Sequence, residues 1–61
     1  MDTFEIAVFN SDDDRVYNVN GTSTFYTNRE DMDKDVQKLR DQNYYVETFI
    51  NGEFITAWIP E

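Results

Sequence analysis

The chain has 61 residues, no cysteine and no histidine, and its 13 acidic residues against 5 basic ones give a formal net charge of −8. This length predicts one small domain, and the composition excludes disulfides, thiolate metal sites and histidine-based catalysis. The charge argues against direct binding to nucleic acid or anionic membranes and favours a protein partner with a basic surface.

The amino-terminal segment MDTFEIAVF has neither a basic n-region nor a long apolar core, so it does not resemble a signal peptide. No stretch of the chain approaches the roughly 20 apolar residues of a membrane span. We therefore expect a soluble protein of the cytoplasm that does not bind membranes.

Apolar side chains alternate between Thr3 and Phe9, which predicts a first strand. Its apolar face carries Phe4, Ile6 and Val8, and its other face carries Glu5, Ala7 and Phe9. The polar run that follows predicts a turn, after which residues 15–20 (RVYNVN) form a second strand antiparallel to the first.

The predicted turn contains three consecutive carboxylates, Asp12, Asp13 and Asp14. A calcium loop beginning at Asn10 would need glycine at its sixth position and glutamate at its twelfth, where Arg15 and Gly21 stand instead. We therefore interpret the cluster as a solvated acidic turn and predict neither a metal site nor a cofactor.

Asn20-Gly21 is a hairpin signal, because both residues of a tight hairpin turn need positive φ. It predicts that a third strand, residues 22–26 (TSTFY), folds back on the second, with Val19 opposite Thr22 and Val16 opposite Phe25.

A capping-box pattern with Thr27 as the N-cap and Glu30 three residues later predicts a helix from Asn28 to about Gln42. Its narrow apolar stripe consists of Met32, Val36 and Leu39. One such stripe is enough to lay a helix across a sheet. Asn43 suits the C-cap or the turn that follows.

The helix and the turn together supply a candidate acidic surface, which comprises Asp12, Asp13, Asp14, Glu30, Asp31, Asp33 and Asp35. Acidic residues in the first turns of a helix complement its dipole, so a solvated face is the simplest interpretation. The sharper hypothesis is DNA mimicry, in which carboxylates replace phosphates in a cationic groove. Lys34 and Lys38 interrupt the row of carboxylates.

Asn51-Gly52 is the strongest local signal, because it separates two β-prone runs, residues 44–50 and 53–59. A regular hairpin places Phe49 opposite Phe54 and Tyr45 opposite Trp58. Its aliphatic face would carry Tyr44, Val46, Ile50, Ile55, Ala57 and Ile59. Its aromatic face would carry Tyr45, Phe49, Phe54 and Trp58.

These elements predict a small α+β domain of order β-β-β-α-β-β, with an antiparallel or mixed sheet of four to five strands and one helix packed on one face. We expect the helix on the aliphatic face of the last hairpin, with the aromatic face outward or in a dimer. The sequence also allows the reverse, with the rings in the core.

An enzyme is not expected from a chain without histidine or a glycine-rich loop. Base-stacking aromatics usually come with Arg and Lys, whereas Glu47 and Glu53 are the nearest charges here. We predict a small acidic protein-binding module whose protein interface is Tyr45, Phe49, Phe54 and Trp58.

In size, acidity and lack of catalytic groups the chain resembles accessory proteins of bacteriophages and mobile elements. That resemblance implies a stoichiometric inhibitor of a host protein, acting in the host cytoplasm. The alternatives are a DNA-mimic inhibitor of a nucleic-acid-binding protein and a homodimeric structural subunit that packs aromatic face on aromatic face.

Overall fold

The computed structural model describes residues 1–60, which form one α-helix, a short 3₁₀ helix (Val19–Gly21) and a five-stranded antiparallel sheet. In chain order the elements are β1 (Phe4–Phe9), β2 (Arg15–Val16), β3 (Phe25–Tyr26), α1 (Arg29–Asp41), β4 (Tyr45–Ile50) and β5 (Glu53–Trp58). The predicted α+β class and the predicted order of elements are confirmed.

The two longest pairings of the sheet join β1 to β4 and β4 to β5. The strand order is β2-β1-β4-β5, and β3 also pairs with β1. β1 and β4 pair along their whole lengths, from Phe4 opposite Ile50 to Phe9 opposite Tyr45. The first strand therefore joins the last hairpin directly and completes the centre of the sheet.

The hairpin predicted at Asn20-Gly21 is wrong, because β2 and β3 do not pair with each other. Both pair with the same edge of β1, β2 near its end and β3 near its beginning. β1 offers a long edge with buried neighbours, so each short strand gains more by pairing there than with an equally short partner.

A wider turn separates β2 from β3. Asn18, Asn20 and Gly21 all have positive φ, at 53°, 52° and 80°. The backbone N–H of Thr22 donates to the Val19 carbonyl at 2.9 Å, and its hydroxyl donates to the same oxygen at 2.7 Å. These bonds close the turn over more residues than a two-residue hairpin loop.

Helix α1 begins one residue later than the capping-box pattern predicts. The N-cap is Asn28, whose side-chain oxygen accepts from the backbone N–H of Glu30 at 2.7 Å. The prediction that Thr27 is the N-cap is wrong. Asparagine is the stronger capping residue, and Asn28 has the extended backbone that a cap requires.

The C-cap of α1 is Gln42, so Asn43 takes the second of its two predicted positions, in the turn after the helix. The N–H of Asn43 donates to the Arg40 carbonyl at 3.1 Å, and the N–H of Tyr44 donates to the Leu39 carbonyl at 3.0 Å. Asn43 itself has a φ of 70°. This pattern is a Schellman motif, which satisfies carbonyls that the helix leaves open.

The core lies between one face of the sheet and the predicted helical stripe. It is formed by Ile6, Val8, Met32, Val36, Leu39 and Val46. Val46 is fully buried, at 0% exposure. The helix therefore lies over the central strands β1 and β4.

The β4–β5 hairpin begins in the predicted register, with Phe49 opposite Phe54. A β-bulge then shifts the pairing, so that Thr48 lies opposite Thr56 and Ile55 is the extra residue. A bulge of this kind moves every later side chain of the strand to the other face.

The bulge overturns two face assignments made from the regular hairpin. Trp58 lies opposite Val46 and packs against the core on the helix side, so its predicted place among the outward aromatics is wrong. Ala57 lies opposite Glu47 on the other face. Ile55 and Ile59 are 46% and 68% exposed, so they do not form the aliphatic platform expected beneath the helix.

The Schellman motif generates a stability prediction at Asn43. We expect Asn43→Ala to lower the free energy of unfolding by about 1 kcal/mol, because a β-carbon of an ordinary residue is unfavourable at positive φ. Asn43→Gly should match or exceed the wild type. Urea denaturation followed by circular dichroism gives both values, and equal stability of the two variants would contradict the prediction.

Candidate protein-binding surface

The sheet has a second face, opposite α1, which we call the open face. No helix of residues 1–60 lies on it. Alternation along the strands, counted from the core side chains, assigns to it Glu5, Ala7, Phe9, Arg15, Phe25, Tyr45, Glu47, Phe49, Phe54 and Ala57. The pairing register arranges these side chains in three rows that run across the strands.

The first row, which we call the phenylalanine row, crosses β3, β1, β4 and β5 as Phe25, Glu5, Phe49 and Phe54. The rings of Phe49 and Phe54 are 5.9 Å apart at an interplanar angle of 71°, an edge-to-face contact. Phe25 and Phe54 are 68% and 56% exposed. The rings of this row lie on either side of Glu5, and its two outer rings are exposed apolar surface that the rest of the described chain does not cover.

The second row, which we call the tyrosine row, crosses β2, β1 and β4 as Arg15, Phe9 and Tyr45. The Phe9 and Tyr45 rings are 5.8 Å apart. The Arg15 guanidinium lies 6.0 Å from the Phe9 ring and 4.8 Å from the Tyr17 ring. These distances are those of cation–π contacts, so the edge of the open face already holds one guanidinium of the chain itself.

Between these rows lies the central row, Ala7, Glu47 and Ala57. Its two alanines lie opposite Glu47 on the adjacent strands, and the phenylalanine and tyrosine rows border it on either side. The Tyr45 hydroxyl donates to Glu47 Oε2 at 3.3 Å. Desolvation of the phenol and the negative charge of Glu47 both raise the pKa of Tyr45.

The structure brings three of the four predicted interface residues together, Tyr45, Phe49 and Phe54. Trp58 lies on the opposite side of the sheet, with the Arg40 guanidinium 5.1 Å from its ring. Arg40 Nε also donates to the Ile59 carbonyl at 3.0 Å, which ties the end of β5 to the helix.

Trp58 also lines a cleft of about 180 Å³ against the helix, with Arg29 and Val36 among the other lining residues. Its Nε1 atom is buried without a hydrogen-bond partner in the described part of the chain. The contacts of the Trp58 ring with the core and with Arg40 therefore make it a packing residue.

Interpretation of the last hairpin alone missed the contributions of β1, β2 and β3 to the open face. Phe9, Phe25 and Arg15 belong to it as fully as the rings of β4. The alternation in β1 contains the missing signal, because it places Glu5, Ala7 and Phe9 opposite the core side chains.

The predicted acidic surface divides into two parts, and the first is the turn between β1 and β2. Asn10 organises this turn: its side-chain oxygen accepts from the N–H of Asp12 at 2.9 Å and of Asp14 at 3.0 Å. Asp13 lies between them with a φ of 63°. Within residues 1–60 no group of three or more Asp or Glu side chains is arranged to hold a metal ion.

The second part lies on α1. Glu30 and Asp31 occupy the first helical turn, and Asp33 lies 4.0 Å from Arg29 Nε. Asp35 is half-buried and accepts a hydrogen bond of 2.6 Å from the Tyr26 hydroxyl. It therefore holds β3 against the helix.

The two acidic parts lie at opposite ends of the sheet. α1 starts after β3, which pairs with the beginning of β1, and it leads to β4, which starts opposite the end of β1. The acidic first turn of the helix is thus remote from the turn that follows β1, and the carboxylates do not form one continuous row.

Because Tyr26 is partly buried and bonded to Asp35, the free energy of unfolding should fall as the pH rises in the alkaline range. Burial, and then the Asp35 carboxylate, raise the pKa of Tyr26 above its ordinary value. Because the folded pKa exceeds the unfolded one, the stabilisation is complete below about pH 10 and is lost as the pH rises through the folded pKa.

We expect Tyr26→Phe to lower the free energy of unfolding by about 1 kcal/mol at neutral pH, because it removes the hydrogen bond to a carboxylate. The variant should also lose less stability than the wild type between about pH 9 and pH 11. Urea denaturation at several pH values tests both effects, with Tyr17→Phe, at an exposed ring, as the matched control. Parallel pH profiles of wild type and Tyr26→Phe would contradict the assignment.

Comparison of the chain with protein-family models, curated proteins and solved structures finds no match. Within residues 1–60 no helix is long and apolar enough to cross a bilayer.

Proposed function

We propose that this protein is a small, non-catalytic protein-binding module that makes stoichiometric contact with a basic partner through its open face. The proposal rests on the open face. Aromatic rings from four strands form two rows on it, and no other part of residues 1–60 packs over these rings. Contiguous exposed apolar surface with aromatic side chains is typical of protein interfaces.

The charge of the chain supports a basic partner. A net charge of −8 gives a negative field around the whole domain, and Glu5 and Glu47 carry that charge into the middle of the open face. Such a field increases the rate of encounter with a cationic surface, while desolvated rings supply most of the affinity. The acidic turn and the first turn of α1 would then steer the partner, with the rings making the contact.

A homodimer formed face to face is less well supported than a basic partner. A two-fold axis through the central row would bring the two Glu47 carboxylates together and place two chains of charge −8 in contact. Like charges opposed in an interface are unfavourable.

DNA mimicry is also less well supported, because the carboxylates that would replace phosphates lie in two parts at opposite ends of the sheet. Mimicry would require binding that DNA competes with and that weakens steeply with salt. Binding through the open face should keep most of its affinity at high salt, since apolar burial dominates it.

The resemblance to bacteriophage accessory proteins adds a biological setting to the proposal. In it, the module occupies a functional surface of a basic host protein in the host cytoplasm and inhibits that protein stoichiometrically.

We expect the double variant Phe25→Ala/Phe54→Ala to lose partner binding with little change in stability, because both rings are largely exposed in the free protein. The measurement is capture of a partner from cytoplasmic extract by immobilised protein, followed by titration of that partner in purified form. Lys38→Ala, at an exposed position of α1 on the opposite side of the sheet, is the control.

Trp58→Ala serves as the contrast, since it should cost roughly 2 kcal/mol or more of folding stability by removing a ring packed on the core. A double variant that binds as tightly as the wild type would contradict the proposal.

Sedimentation analysis of the purified chain tests the homodimer separately. We expect a monomer at all accessible concentrations, because self-association through the open face opposes like charges. A dimer that dissociates on Phe54→Ala substitution would overturn this expectation and favour the structural-subunit alternative.

A further inference from the structure

We infer that the central row of the open face is a subsite for an arginine side chain of the partner, with Glu47 as the group that binds the guanidinium. This inference rests on the proposed function and specifies the partner that the open face recognises. Its basis is the position of one carboxylate between two rows of rings, on a face where Arg15 already shows how a guanidinium is held.

Glu47 has the acceptor capacity that such a contact needs. A carboxylate offers about four lone-pair positions and can accept two parallel N–H bonds from one guanidinium. The Tyr45 hydroxyl uses one of these positions, at Oε2. Glu47 is half-buried, so an ion pair there is less screened by solvent than one on the helix surface.

The neighbours of Glu47 are small side chains and flanking rings. Ala7 and Ala57 lie opposite it on the adjacent strands; Ala7 is buried at 4% exposure, whereas Ala57 is half-buried and ends at its β-carbon, so a partner side chain would reach Glu47 from the Ala57 side. The Phe9–Tyr45 pair borders one side of this row and the Phe49–Phe54 pair borders the other.

Arginine fits this position better than lysine. Its guanidinium is planar, stacks on aromatic faces and matches a carboxylate with two donors at once, whereas an ammonium is a compact and strongly hydrated charge. The Arg15 guanidinium, 4.8 Å from the Tyr17 ring, is an intramolecular example at the edge of the same face. The negative charge of the chain also excludes acidic segments and nucleic acid as occupants.

The test is titration of the isotopically labelled full-length chain with hexa-arginine amide and, at equal charge, hexa-lysine amide, followed by NMR. We expect the arginine peptide to perturb the amides of Ala7, Glu47 and Ala57 and to bind several-fold more tightly than the lysine peptide.

Two charge-matched variants make the NMR titration specific. Glu47→Gln should weaken binding of the arginine peptide by about tenfold, the usual effect of losing a hydrogen-bonded charge partner. Glu53→Gln removes the same charge from the exposed start of β5, opposite Ile50 rather than in the central row, and should change the affinity less than about twofold. Equal effects of both variants, or shifts confined to the turn between β1 and β2, would overturn the inference.

A steric variant checks the subsite without touching the carboxylate. Ala57→Leu fills the central row next to Glu47 and should also abolish the preference for arginine over lysine, with a urea midpoint close to that of the wild type.

If Phe25→Ala/Phe54→Ala abolishes partner capture while Glu47→Gln leaves both partner and peptide affinity unchanged, the proposed function stands and the arginine subsite is wrong. If the double variant captures the partner normally, the proposed function itself fails.

Discussion

The structure depends on the pairing of β1 with β4 and on the side chains that this pairing delivers to the helix. Val46 and Ile6, on these two strands, are almost completely buried and meet Leu39 of α1. The remaining elements are additions to this centre: β5 follows β4 through a tight turn, and β2 and β3 use the free edge of β1. In a domain of this size, one continuous core of this kind must supply most of the stability.

A single helix can cover only one face of a five-stranded sheet, and this geometric limit creates the open face. Five rings and two alanines remain there, together with Glu5 and Glu47. Removing so much aromatic surface from water is a large source of binding energy for a partner. The placement of carboxylates among the rings makes that energy selective, since a partner without positive charge would leave them desolvated and unpaired.

The β-bulge at Ile55 decides what each end of β5 contributes. Before the bulge, Phe54 joins Phe49 on the open face; after it, Trp58 closes the core side and Ala57 takes the position opposite Glu47. In the regular register Trp58 would lie opposite Tyr45 on the open face, and Thr56 would lie opposite Glu47. The bulge gives the central row an alanine instead, and the tryptophan packs on the core side beside Arg40.

The sequence by itself determined the features that depend on neighbours within a few residues. The buried stripe of α1, the closing role of Asn43 and the tight turn at Asn51-Gly52 follow from helical periodicity and from residues that tolerate positive φ. Only the tertiary structure decided that β2 and β3 pair with β1, that the β5 register shifts, and that Trp58 leaves the aromatic group. These outcomes depend on competition among distant partners for buried positions, and local pattern does not encode which partner wins.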